Sequence, residues 1–280
     1  MLSSVARKPP EVMDPDSPPP EPQPGRISDP PIDPPPLMPW QVPIPNTALF
    51  VTGAGDGVDI SYNDIKQGWA GDCYFLATAA AIAKQNPDAI RSLIRENKDA
   101  RGNVTSYTVS LWEKESTWFG LSSTNRRREI NVPAAVETRD LDRLGDTTGG
   151  KNEVWPLILE KAFAQLDPRY WDGGKPEEAY FALTGWDAVK RPVNGLSATE
   201  PNAFIKLALR EHRPVMLCTV GHPGDVLAGG IAPAHCYSVN GYHVDPRTGR
   251  EMVDLYNPWG FDVSLPVDDM EKVFKNYTIG

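Results

Sequence analysis

The chain has 280 residues, 40% of them hydrophobic, and a formal net charge of −9. That length allows a sizeable core, in one large domain or two small ones. The acidic balance excludes a basic nucleic-acid-binding protein, and no apolar run reaches the roughly 18 residues of a membrane span.

Three cysteines, an odd and low count, do not suggest a disulfide framework and fit a reducing compartment. The first ten residues lack an apolar h-region, so no classical signal peptide is expected. Residues 1–45 hold more than half of the 29 prolines. Such a segment builds neither helix nor sheet and is expected to be extended and largely disordered. It reads as a tail or spacer; the sharper reading is a docking arm for a partner with an aromatic groove.

From Ala48 the pattern becomes globular. Val51 to Asp59 lies one residue from a dinucleotide loop, but Asp59 stands where the last glycine belongs and would repel a pyrophosphate. A helix is expected from about Cys73 to Lys84, ended by Asn86-Pro87, and another over Asp88–Arg95. Ser106–Trp112 alternates as a strand. Trp118–Val132 reads as a strand region interrupted by Arg126-Arg127-Arg128, a solvated edge. Asp140–Asn152 reads as a surface loop. Val154–Gln165 forms a helix with Pro156 in its first turn, and Pro201–Glu211 another. Pro214–Val220 is a buried strand, and Asp268–Tyr277 a terminal helix.

The chemistry concentrates at Gln67-Gly-Trp-Ala-Gly-Asp-Cys73-Tyr-Phe-Leu76. A cysteine opening a helix sits where partial positive charge favours thiolate. Gln67, six residues earlier, can donate a hydrogen bond to a developing oxyanion. A thiolate also needs a base with an orienting partner. Of the four histidines, His212, His222 and His243 lie at a helix end, on a loop and beside a turn. His235 enters an alternating strand. A second strand ends in Asn257-Pro-Trp-Gly260, and Asp245–Gly249 between them has turn chemistry, so the two form a hairpin that brings Asn257 near His235. Trp259 can shield that pair from water. Cys218 reads as core, and alternation turns Cys236 away from the face of His235.

These blocks resemble the catalytic core of the calpain family of cysteine proteases over roughly residues 45–280. Gln67–Leu76 matches the nucleophile block, His235–Val239 the histidine block and Asn257–Gly260 the asparagine block. Glu153–Ala164 resembles the family's long helix, and Leu49–Ala54 the segment leading to the site. The resemblance implies a minimal, bacterial-type member with an α+β, papain-like, two-lobe fold. The arm is 1–45, a helical lobe carrying the nucleophile is 46–184, and a β-rich lobe carrying His and Asn is 185–280, with the active site in the cleft. It implies a cysteine endopeptidase acting on protein or peptide through Cys73, His235, Asn257 and Gln67. The alternatives are a catalytically silent interaction module and a thiol acyltransferase. No cofactor is required. Calcium is the ligand the resemblance suggests, with Asp64 and Glu160 as its carboxylates; Phe261-Asp-Val-Ser-Leu265 departs from the family pattern for a second site. The expected location is cytoplasmic, or exported without a classical signal.

Overall fold

A computed structural model of the chain describes residues 41–43, 48–52, 58–68, 70–116, 123–137, 153–193, 199–222, 225 and 227–280. Most of the proline-rich arm, the glycine loop 53–57 and the polar stretch 138–152 lie outside the described residues. The end of the arm departs from expectation. β1 (Gln41–Pro43) pairs antiparallel with β5 (Ala135–Glu137), so sheet pairing begins before residue 45. Among the described residues, no helix is long and apolar enough to cross a membrane.

Helix α1 (Cys73–Gln85) is the central element, and Tyr74 to Ala83 are all buried. Alanines at 77, 79, 80, 81 and 83 make this possible, because short side chains let neighbours approach on every side. The one polar side chain in that stretch, Thr78, donates its hydroxyl to the Tyr74 carbonyl at 2.7 Å. The helix stops at Asn86, whose side chain accepts from Ala89 N–H at 3.2 Å and caps α2 (Pro87–Arg91). The expected helix through Arg95 is not formed. Ile94–Lys98 is strand β2, and Leu93 C=O accepts from Ser110 N–H at 2.9 Å. Sheet pairing here overrides local helix propensity.

Strands β2, β3 (Val104–Ser116) and β4 (Ser123–Pro133) form a three-stranded antiparallel sheet. The basic run does not interrupt β4. Arg126 and Arg128 extend toward Glu115 and Glu113 on β3, at 3.4 and 2.8 Å, so the solvated edge is neutralised across the strand pair.

Helix α3 (Trp155–Leu166) packs on α1 through Phe163, whose ring stacks on Phe75 with centroids 4.1 Å apart and planes 7° from parallel. Both rings are buried. Phe163→Ala is expected to cost about 3–5 kcal/mol, measured as a lower denaturant midpoint with an unchanged slope. Helix α4 (Pro176–Thr184), which the sequence reading did not anticipate, completes this core.

A six-stranded antiparallel sheet builds the second core. Its order is β10-β9-β8-β7-β11-β6, with β6 (Val189–Pro192), β7 (Val215–Thr219), β8 (Cys236–Val244), β9 (Glu251–Asn257), β10 (Phe261–Pro266) and β11 (Phe274–Ile279). Helix α5 (Thr199–Arg210) packs against it with Ile205 and Ala208 in the shared core. β8 and β9 form the expected hairpin. Asp245 holds its turn by accepting from Arg247 N–H at 2.9 Å and the Thr248 hydroxyl at 2.8 Å. The expected terminal helix is not found. Only Met270–Val273 (α6) is α-helical; the chain then enters the sheet as β11, between β7 and β6. Phe274, Tyr277, Thr278 and Ile279 are buried there, and a strand paired on both sides satisfies backbone that a short surface helix would leave to water.

Candidate active site

The site is assembled from three segments. The first is the loop before α1. Gln67 N–H donates to Pro258 C=O at 2.6 Å, and the Tyr256 hydroxyl donates to Ile65 C=O. These bonds tie the Gln67 segment to the turn after Asn257. Gly71 N–H donates to Trp171 C=O at 3.0 Å. A Cβ at Gly71 would lie 2.4 Å from that carbonyl oxygen, so a glycine is required at this approach. Asp72 is fully buried, and Cys73 begins the helix.

The second segment is the entry to β8. His235 is 5% exposed, and its backbone is held by Thr219 on β7: His235 N–H donates to Thr219 Oγ1 at 2.9 Å, and Thr219 N–H to His235 C=O at 2.9 Å. The third is the end of β9. Asn257 Oδ1 lies 2.8 Å from His235 Nε2 and also accepts from Trp259 N–H at 2.9 Å. The Trp259 ring lies against the imidazole with centroids 4.5 Å apart, as a shield over that pair should.

Gln67, Cys73, His235 and Trp259 line one cleft of about 760 Å³, and Asn257 stands behind His235. Sequence reading missed Trp171, Gly173, Gly174 and Lys175, which line the same cleft. The adjacent glycines after Trp171-Asp172 were the available signal. His212, His222 and His243 are exposed. His243 is bound to Asp254 at 2.7 Å.

The cysteine expectation is overturned. Cys218 and Cys236 form a disulfide, leaving Cys73 as the free cysteine. They are 18 residues apart but directly opposed on β7 and β8, a juxtaposition that only strand pairing creates.

Electrostatics describe a resting site. Burial pushes the Cys73 thiol up to about 11; a hydrogen bond from the Cys236 backbone opposes this and the Asp72 charge adds to it. Burial also lowers His235 to about 4, against the Asn257 bond. No hydrogen bond links Cys73 to the His235 ring among the described residues. Burial thus disfavours the charged form of both groups. Below its pKa, the thiolate fraction rises about tenfold per pH unit. Iodoacetamide is thus expected to alkylate Cys73 of the substrate-free protein faster with each step from pH 7 to 10, with no plateau near neutrality. A plateau would show a thiolate–imidazolium pair already formed at rest.

Gln67 Nε2 donates to Ala70 C=O at 2.6 Å and to Asp72 Oδ1 at 3.2 Å. Burial raises the Asp72 carboxyl to about 7, while hydrogen bonds from Glu160 and Gln67 hold it down. Glu160 is thus engaged with Asp72. Asp64 Oδ2 accepts from Ser61 N–H at 2.6 Å and from Trp155 Nε1 at 3.2 Å. The two expected calcium carboxylates have separate protein partners. Among the described residues no group of three or more His, Cys, Asp or Glu is arranged to hold a metal.

A free cysteine at a helix start thus shares a cleft with a histidine that is bonded to an asparagine. The calpain family cysteine protease domain matches residues 55–265, and the chain belongs to that family. It is 26% identical over 205 residues to Calpain-13 of Rattus norvegicus and 27% over 212 residues to Calpain-12 of Homo sapiens. It is 26% identical over 259 residues to Calpain-5 of Mus musculus. These alignments cover 70%, 72% and 80% of this chain but only 29%, 27% and 38% of those relatives. Family membership supports cysteine peptidase chemistry in general.

Proposed function

We propose that the chain is a cysteine endopeptidase whose nucleophile is Cys73. His235 takes the thiol proton as sulfur attacks a peptide carbonyl, and returns it to the leaving amine. Water then hydrolyses the thioester, with His235 again moving the proton. Asn257 engages Nε2 and leaves Nδ1 for the thiol; this pairing at 2.8 Å is the observation that carries the reading. Gln67 and the Cys73 backbone N–H serve as oxyanion donors. For the side chain, that requires exchanging one of its two present bonds, to Ala70 or Asp72, for the substrate oxygen.

Residues 46–184 and 185–280 act as two lobes, and substrate draws them together. Closure would bring the proton donor to its acceptor. The test is cleavage of unfolded casein by the purified chain, with Cys73→Ala as control, with and without millimolar calcium. Cleavage by the native chain and none by the variant is the expected result. Dependence on calcium would support Asp64 and Glu160 as its carboxylates. Amine incorporation without chain cleavage would identify an acyltransferase, and no reaction in any arm would favour the silent module.

A further inference from the structure

All three cysteines of the chain line the same cleft: Cys73 from α1, Cys218 from β7 and Cys236 from β8. Peptide hydrolysis uses one of them. The other two form a covalent tie between the strands immediately beside the residues that hold His235. Cys218 precedes Thr219, and Cys236 follows His235.

The backbone at His235 has reason to need such a tie. His235 lies just outside β8, and Ala234 before it adopts φ 48°, a left-handed conformation unfavourable for a residue with a Cβ. Among the described residues, this backbone is also anchored by the bonds exchanged with Thr219, including the Thr219 hydroxyl donating to His235 C=O at 3.1 Å. Cys236 follows the base in sequence and forms the bridge, and its backbone lowers the pKa of the Cys73 thiol.

We propose that the Cys218–Cys236 disulfide is a redox-responsive positioning element that holds the base in register with the nucleophile. A dithiol reductant opens it in two exchanges. A reductant thiolate attacks one cysteine sulfur and the other cysteine leaves as thiolate. The second reductant thiol then closes the reductant into its own disulfide, releasing the first cysteine. Two electrons pass to the pair, and each cysteine thiolate takes up a proton. With the tie cut, the strand end carrying His235 relaxes. Turnover falls while the cleft still binds substrate. This rests on His235 being the base.

The test uses the full chain, with Cys73 kept reduced and the state of Cys218 and Cys236 read by alkylation and peptide mapping. Opening the bridge with a dithiol is expected to lower kcat on a casein-derived peptide by about tenfold or more with KM little changed, the scale of a small misplacement of a catalytic group. Reoxidation should restore it. Full turnover with both thiols demonstrably free would overturn the proposal. A second readout needs no peptidase activity. In a Cys218→Ser/Cys236→Ser variant, Cys73 is the only thiol, and its alkylation at pH 8 should be about tenfold faster than in the bridged protein as its surroundings loosen. An equal rate in a folded variant would also overturn it. If the variant alkylates about tenfold faster but the bridged protein cleaves nothing, the peptidase reading fails and only the effect of the disulfide on the surroundings of Cys73 stands.

Discussion

Cys73→Ala is expected to remove peptide cleavage, with a loss of about 10⁴-fold or more in kcat/KM. The alanine leaves the cleft and the His235–Asn257 pair in place but no atom to form the acyl bond. His235→Ala should cost nearly as much, because a thiol pushed up to about 11 supplies almost no thiolate without a base. Adding it to Cys73→Ala should change little further, since the two act as one unit. Asn257→Ala should fall below both in severity, leaving the imidazole free to rotate while Trp259 still packs on its ring. The measurement is steady-state cleavage of a casein-derived peptide by each variant, beside thermal melting to confirm folding. Full activity in a folded Cys73→Ala protein would exclude the proposed mechanism.

Gln67→Ala is expected to lower kcat by about 10²–10³-fold with KM little changed, because its amide acts only when negative charge develops on the carbonyl oxygen. The side chain touches Ala70 and Asp72 at rest, so melting temperature must be measured with the kinetics. Loss of Gln67 deprives buried Asp72 of one hydrogen bond and should modestly destabilise the protein. Gln67→Glu separates the two effects. It keeps the size of the side chain but replaces the amide donor with an acceptor beside a carboxyl. Its kcat should be as low as that of the alanine variant. A large kcat loss confined to variants that also melt early would assign Gln67 to the loop and not to the oxyanion.

Much of the site was legible in the sequence because its signals are local. A cysteine at a helix start, a small-residue run and a hairpin turn each depend on a few neighbouring residues. The placements of α1, α3, α5 and the β8–β9 hairpin followed from helix breakers, Pro156 and Asp245–Gly249. The misreadings fall where a distant partner decides. Ile94–Lys98 and Phe274–Ile279 have ambiguous local patterns, and each became a strand because an adjacent strand satisfies its backbone.

The sequence by itself determined the residue types of the proposed chemistry and their order along the chain: glutamine, cysteine, histidine, asparagine. Its alanines at 77, 79, 80, 81 and 83 also permit close packing around the central helix. The tertiary structure alone decided what each group's neighbours are. It joined Cys218 to Cys236 across β7 and β8. It placed Glu160 against Asp72 and turned the Gln67 amide inward. The physical reason is that pairing register and burial depend on residues far apart in the chain. Those two quantities set the pKa values, the hydrogen bonds and the disulfide of the cleft.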